Sequence, residues 1–361
     1  MATEAVATAT VPRTTAAWVD LVSPSHPFFF RALVDGLESV TATVTVRKKT
    51  ETVPLAREVG FDVRTVGRDF DNPTLRKLGI PLRTAQLGLQ APDADVALCS
   101  RNAMCILAAK VRGIPSIHFT DNDITAYVDG LRAEELYNRL EAMATHNVVP
   151  AAFDTWELKR WGASSGSIHT YDGLKEHVYV ADFEPNPDFL EKLPFDEFVV
   201  VRPEAMTAAY VDVDESIVPR LLAEIVDRGL NVVYLPRWRD DEAYAAEFPD
   251  DRVYTPPNAL NGLDLAWYAQ CVLTGSGTMA REAACMETPA VSFFPNSLLS
   301  VDQQLVDEGR VFHSRDVDAI GEYLSGIDAS DAEPSRERAR RVRDEVVSLT
   351  QGLIDDLEAD R

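Results

Sequence analysis

Val272 to Glu282 reads VLTGSGTMARE, and the fold turns on these eleven residues. An apolar run ends at Thr274, a glycine-rich turn follows, and a helix opens at about Thr278. Gly275 and Gly277 permit close backbone approach and positive φ. The amides of Ser276 to Met279 project from a helix N-terminus, where partial positive charge and unpaired N–H donors form an anion site. Ser276 and Thr278 add hydroxyls, and Glu282 lies one turn on, placed to accept hydrogen bonds from ribose hydroxyls. A plain strand-to-helix turn with Ser or Thr as N-cap would look similar. The case for a phosphate site rests on the whole G-S-G-T-x-x-x-E pattern at such a junction.

Outward from this loop the chain alternates short β-branched runs with longer amphipathic ones. In the second half, strands are expected at Phe198–Arg202, Asn231–Leu235, Cys271–Thr274 and Ala290–Phe294. Helices are expected there at Ser216–Asp227, Leu263–Tyr268 and Met279–Met286. The first half repeats the scheme, with strands at Ala17–Val22, Thr41–Val46, Asp62–Val66, Asp95–Cys99 and Ser116–Phe119. Val148–Pro150 and His177–Tyr179 read as further short strands; helices fall at Pro27–Leu37, Glu51–Val59 and Asn102–Arg112. Strand–helix–strand order at this spacing predicts parallel sheets with helical crossovers. The fold class is therefore α/β, as two Rossmann-like domains whose parallel sheets face a central cleft. The expected divisions are a disordered tail over 1–13, an N-terminal acceptor domain over 14–182 and a nucleotide-binding domain over 183–330. A helix over 331–361 packs back on the lobes, and proline-rich Phe183–Pro194 links them.

With 58 acidic against 35 basic residues the net charge is −23, a field that repels nucleic acid and anionic lipid. Dispersed Asp and Glu with only seven lysines resembles the proteome of a salt-adapted archaeon. Cys99, Cys105, Cys271 and Cys285 form no C-x-x-C pair and read as reduced, buried thiols of a cytoplasmic protein. No run approaches the roughly 18 apolar residues of a transmembrane helix.

The segment GSGTMAREAACMETPAVSF resembles the second-lobe nucleotide loop of GT-B proteins, especially the non-hydrolysing UDP-N-acetylglucosamine 2-epimerases. A nearer resemblance is to the archaeal family called domain of unknown function 354, of the same superfamily. It shows at Ser25-His26-Pro27, HFTD (His118 to Asp121), YDGLKE (Tyr171 to Glu176), Gly275 to Glu282, and VDQQLVDEG around Gln304. The resemblance covers about Trp18 to Leu324. It implies a GT-B-like fold, a nucleotide diphosphate at the Ser-Gly pair and ribose at Glu282. One departure stands out: where the epimerases carry a histidine motif at the start of the second lobe, this chain reads VVVRPEAMTAAY.

Other candidates share one position, the carboxyl ends of parallel strands, where α/β ligands bind. Ser25 and His26 follow the first strand, either with His26 orienting a phosphate or acting as general base, or as a helix-opening turn with Ser25 as N-cap and His26 exposed. Asp121, Asn122 and Asp123 follow Ser116–Phe119; Asp121 sits where the epimerases carry an active-site glutamate, although capping fits as well. The Asp121–Asp123 pair also matches a D-x-D spacing, but no metal is expected, nor any other cofactor. His118 reads as a satisfied core histidine. Tyr171, Lys175 and Glu176 precede the domain crossing. Arg202 ends a strand as a candidate diphosphate partner. Arg237 and Trp238 follow the next strand, and Asn296 and Gln304 are candidate sugar contacts. The resulting expectation is a GT-B glycosyltransferase using a nucleotide sugar, UDP type, with His26 or Asp121 as base. Its acceptor is a glycan or a lipid-linked group, which would bring the protein to the inner membrane face. An epimerase or hydrolase, and a binding protein without chemistry, are the alternatives.

Overall fold

The computed structural model describes residues 14–48, 51–68, 73–206, 215–327 and 334–361. The 1–13 segment, residues 328–333 and the end of VVVRPEAMTAAY lie outside the described residues, and the last helix opens at Glu337, later than the expected start near Ala332. Within them, seven strands form a first sheet: β1 (Thr15–Leu21), β2 (Val40–Lys48), β3 (Val63–Arg68), β4 (Val96–Ser100), β5 (Ser116–Phe119), β6 (His146–Pro150) and β7 (Ile168–Tyr171). Their order is β3-β2-β1-β4-β5-β6-β7, with every pairing parallel. Six more form a second parallel sheet: β8 (Val199–Arg202), β9 (Val232–Tyr234), β10 (Val253–Tyr254), β11 (Cys271–Thr274), β12 (Ala290–Ser292) and β13 (Phe312–His313). These run β10-β9-β8-β11-β12-β13.

Crossovers in the first lobe are α1 (His26–Gly36), α2 (Thr52–Glu58), α3 (Pro73–Gln90), α4 (Ala103–Val111), α5 (Arg132–Glu141), α6 (Trp156–Lys159) and α7 (Lys175–Val180). The second lobe has α8 (Val218–Asp227), α9 (Gly262–Tyr268), α10 (Gly277–Cys285), α11 (Ser300–Asp307) and α12 (Val317–Ser325), and the chain ends in α13 (Glu337–Ala359). Strands covered on both faces read as unbroken apolar blocks, and Val199 to Val201 show no exposed surface at all. On β1, Ala17, Val19 and Leu21 face one core under α1, whereas Trp18 faces another under α3 and α4. Asp20, on the Trp18 face, is fully buried yet satisfied. Arg83 grips it bidentately at 2.8 and 2.9 Å, and Thr45 and Asn102 donate at 2.5 and 2.7 Å.

His177–Tyr179 is helix, not strand: it lies in α7, and the strand is the earlier Ile168–Tyr171. His177 Nδ1 accepts the Leu174 N–H at 2.9 Å and closes the first turn. Because α7 is wedged between α1, α10 and α13, Glu176 to Val180 are all buried, and a helix covered on every side shows no 3.6-residue periodicity. The last helix docks on the first lobe, against α7, α1 and β7. Two glycines let it approach: a Cβ at Gly36 would meet Val347 at 2.7 Å, and one at Gly173 would meet Val342 at 2.5 Å. The connector from Phe183 is pinned to the second lobe. Asn186 N–H reaches Asp264 Oδ1 at 2.8 Å, Tyr268 OH reaches Asn186 O at 2.9 Å, and Phe189 stacks on Tyr268. No described helix is long and apolar enough to cross a membrane.

Candidate functional site

In the second sheet, strand order reverses between β8 and β11, and a crevice opens at their carboxyl ends. There Thr274 pairs in register with Arg202, and the Gly275 N–H donates to Arg202 O at 3.0 Å. Neither Gly275 nor Gly277 has positive φ, contrary to the expectation for this loop. Gly275 is required by proximity instead, since a Cβ would lie 2.6 Å from Glu204 Cα and 2.7 Å from its N. Ser276 takes the N-cap position with no side-chain capping bond. First-turn amides have no intrahelical acceptor, so those of Gly277 to Met279 face the crevice.

Two cavities meet at this turn. The first, about 500 Å³, is lined by Arg202, Ser276, Thr278, Met279 and Glu282, with the Pro256–Leu260 loop as its far wall. Its half-buried Glu282 accepts from Tyr179 OH of α7 at 2.7 Å. Burial pushes the Glu282 carboxyl up to about 7, against the lowering effect of the Tyr179 hydrogen bond. Burial lowers Arg202, and Glu282 counteracts it. The second cavity, about 650 Å³, shares Ser276 and Thr278 with the first and also takes Gly275, Gly277, Arg237, Arg281 and Asp302 from the second lobe. Asn122, Arg132 and Glu134 line it from the first lobe.

Under this second cavity lies a buried charged network that joins the lobes. Arg281 of α10 donates through Nε to Glu176 Oε1 at 2.9 Å and through a terminal nitrogen to Asp302 Oδ1 at 3.1 Å. Its other terminal nitrogen stands 3.7 Å from Asp121 Oδ2, while Lys175 Nζ donates to Asp121 Oδ1 at 3.0 Å. Burial opposes ionisation of Asp121, but Lys175 and Arg281 outweigh it and hold the carboxyl well below its usual range. Burial likewise works against charge on Arg281, and Glu176, Asp302 and Asp121 together push its pKa above the ordinary value. Burial raises Asp302, with Arg281 opposing. Asp121 Oδ2 and Glu176 Oε2 are buried with no hydrogen-bond partner among the described residues. Three carboxylates and two cations thus form one cluster. The Tyr171 phenol, raised by burial and then by Asp121 and Glu176, lies alongside.

The structure therefore brings Asp121, Tyr171, Lys175 and Glu176 together, and places Asn122, Arg237 and Gly275 to Thr278 around one cavity and Arg202 and Glu282 around the other. Ser25, His26, Asn296 and Gln304 line neither cavity. His26 is buried, not exposed, and its Nδ1 faces the Val22 N–H at 3.5 Å. Gln304 donates to Glu308 at 2.6 Å along α11, whereas Asp302, two residues earlier, faces Arg281. Trp238 is 61% exposed and lines neither cavity. Asp123 accepts the amides of Asp154 and Ser300 at 2.9 and 3.2 Å, so as the second half of a D-x-D pair it is already bonded. His118 is fully buried and pairs with Asn147 at 2.8 Å. Arg281, Tyr179 and Asp302 are the residues that sequence reading passes over. Arg281 follows Gly277 by four positions, hence on one helical face, and that spacing was its only signal.

Two parallel α/β lobes facing a cleft define a GT-B architecture, shared with sugar-nucleotide epimerases and a glycosyltransferase. UDP-GlcNAc 2-epimerase from Methanocaldococcus jannaschii superposes with a TM-score of 0.68 at 13% identity, covering 93% of this chain and 99% of the other. The glycotransferase of kitacinnamycin superposes with a TM-score of 0.57 at 15% identity, covering 96% and 99%. The chain belongs to the family described as Protein of unknown function (DUF354), whose model matches residues 15–346. An uncharacterized protein of Methanocaldococcus jannaschii is 24% identical over 323 residues, 85% of this chain and 90% of that one.

Proposed function

We propose that this chain binds a nucleoside diphosphate sugar of the UDP type and transfers the sugar to an acceptor hydroxyl. The observation that carries the reading is the meeting of two cavities at the α10 N-terminus. One is built by second-lobe residues around Arg202 and Glu282, and the other by both lobes. A diphosphate seated on the amides of Gly277 to Met279 would send its nucleoside into the first cavity, with ribose hydroxyls on Glu282. Its sugar would enter the second, where Asn122, Glu134 and Asp302 offer hydroxyl acceptors. Arg202 and Arg237 would neutralise the leaving diphosphate. The acceptor, glycan or lipid-linked, would arrive from the first lobe.

Of the two candidate bases, Asp121 belongs to the network under the sugar cavity and His26 does not, so we assign the proton to Asp121. A carboxylate held this far down takes a proton only when Lys175 or Arg281 is drawn away, so substrate must loosen one of those contacts. Epimerisation or hydrolysis of the sugar nucleotide is the second reading. The M. jannaschii neighbour, a UDP-GlcNAc 2-epimerase by name, favours it. Thermal shift against UDP, GDP, CDP and dTDP, free and sugar-linked, tests binding, and one nucleotide should stabilise while Glu282→Ala abolishes its effect. Turnover of the bound sugar nucleotide then separates the readings. Sugar on an added acceptor supports transfer; free UDP or an epimerised sugar without acceptor supports the second reading. Binding without product in single turnover leaves a binding protein, and no shift with any nucleotide refutes the proposal.

A further inference from the structure

Arg101 stands just past β4, at the carboxyl end of that strand, in the left-handed region at φ 42°. A bulky residue keeps this conformation only where its surroundings fix it, and such outliers gather at functional sites. Its N–H still donates to Phe119 O at 3.3 Å, and the next residue, Asn102, caps α4 by accepting the Cys105 N–H at 3.2 Å. The chain therefore turns within Arg101 itself. The side chain leaves toward α5. One terminal nitrogen donates to Asn138 Oδ1 at 2.9 Å and to Glu141 Oε2 at 2.6 Å, and the other bonds Glu134 Oε2. Glu134, Asn138 and Glu141 share one helical row, so a single guanidinium spans the inward face of α5.

The two ends of this row differ. Glu141 is fully buried, and the Asn138 amide donates onward to Thr125 Oγ1 at 2.7 Å and to Glu157 Oε2 at 3.2 Å, which Arg160 also meets at 2.6 Å. That end is locked into the lobe. Glu134 lies in the first turn of α5 with its side chain 40% exposed, and among the described residues it is the one first-lobe carboxylate lining the second cavity. Its Oε2 is taken by Arg101, and its Oε1 has no hydrogen-bond partner among the described residues. Arg101 lines neither cavity. Partial burial works against its charge, and Glu141 and then Glu134 outweigh it, so the guanidinium stays cationic. A glutamate in a wet first turn samples several rotamers, and ordering it on binding costs free energy. A charge-assisted bond from a fixed guanidinium orders it beforehand.

We propose that Arg101 is a positioning residue, which holds Glu134 in one rotamer with Oε2 tied and Oε1 left to accept a sugar hydroxyl in the second cavity. Arg101 itself touches no substrate. The inference rests on the nucleotide-sugar reading and adds to it the group that orders one wall of the cavity before the ligand arrives. A clamp that only fastened α5 to the sheet would act through Glu141 and Asn138 and would have no use for Glu134.

The experiment is a double-substitution cycle on the full chain, read by titration calorimetry with UDP and with UDP-N-acetylglucosamine at fixed potassium chloride. Arg101→Lys keeps a cation beside Glu141 but cannot fork to three acceptors. It should weaken UDP-N-acetylglucosamine roughly tenfold, the worth of one charged hydrogen bond, while UDP affinity stays unchanged. Glu134→Gln should lose a similar factor, and the double variant no more than Glu134→Gln alone, because the arginine acts through that carboxylate. Melting checks that each variant is folded. Glu134→Asp, which keeps the charge and draws it back by one methylene, should also weaken the sugar-linked ligand, and it carries the test if Arg101→Lys does not fold. Undiminished UDP-N-acetylglucosamine affinity in folded Arg101→Lys or in Glu134→Asp overturns the inference. So do losses that add in the double variant, an equal loss for UDP, and a wild type that binds UDP but not its sugar-linked form. In each of these the nucleotide site survives. A wild type that binds neither ligand refutes the nucleotide reading itself, and this inference with it.

Discussion

Replacing Glu282 by Gln should remove a pH dependence of stability that this one side chain imposes. Burial raises its carboxyl from the ordinary 4.5 to about 7. The native state thus holds a proton that the unfolded chain has already released. Stability is fully present below the unfolded value of 4.5 and is lost as pH rises toward 7. At about 1.4 kcal/mol per pH unit the ceiling is about 3.5 kcal/mol, and relaxation around an ionised Glu282 should bring the observed loss nearer 2 kcal/mol. A glutamine at this position fills the same volume, can accept from Tyr179 and cannot ionise. Urea unfolding at fixed potassium chloride, from pH 4.5 to 8, should show wild type falling by about 2 kcal/mol relative to Glu282→Gln. A difference that stays flat within about 0.5 kcal/mol would refute the raised, protonated carboxyl. Ribose hydroxyls donating to an ionised Glu282 would reverse the sign for binding, so nucleotide affinity of wild type should rise as pH passes 7.

Four further outcomes follow from the geometry. Arg281→Met leaves Glu176 and Asp302 without their cation, beside an Asp121 that keeps only Lys175, and should cost about 3–5 kcal/mol in urea unfolding. Arg281→Lys should recover only part of this, because a point charge cannot reach Glu176 and Asp302 together as the guanidinium fork does. Gly173→Ala drives a methyl to within 2.5 Å of Val342 and should destabilise by about 1–3 kcal/mol, seen as a lowered urea midpoint with α13 more open to proteolysis. Asp121, held below its ordinary 3.8, contributes stability that is present above that value and lost as pH falls below it. Asp121→Asn should therefore lose stability at pH 7 and show a flatter acid limb than wild type.

The fold was legible because fully covered strands declare themselves locally. Val199 to Val201 and Val96 to Cys99 are apolar blocks bounded by polar ends, and nothing distant is needed to read them. His-Val-Tyr (His177–Tyr179) in α7 failed for the opposite reason, since burial on every side erases the pattern that separates helix from strand. The glycine loop was legible as well, because its parts are neighbours in the chain. Arg281 was not, although it stands beside Glu282 in the same quoted segment. Taken alone it is one more charged residue on a helix; its meaning lies in Glu176, Asp121 and Asp302, contributed by the facing lobe and by α11. The choice of Gln304 over Asp302 shows the same limit: two residues apart on a helix is more than half a turn, and only the partner says which face looks inward.

The charge of the whole chain is a separate matter from the charge at the site. A total of −23 suggests a molecule unfit for anions, yet net charge acts at a distance, while a ligand in a crevice responds to groups within a few ångströms. At the α10 N-terminus those groups are unpaired amides, Arg202 and Arg237, with the acidic partners of Arg281 set under the adjoining cavity. Of these carboxylates Asp302 lines the cavity, where a hydroxyl can meet it. An acidic protein can hold a diphosphate when its carboxylates near the site are each matched to a cation or left for a neutral hydroxyl. The Arg281 cluster meets the first condition, with Lys175 and Arg281 on Asp121 and Arg281 on Glu176, and Asp302 at the cavity wall is placed to meet the second.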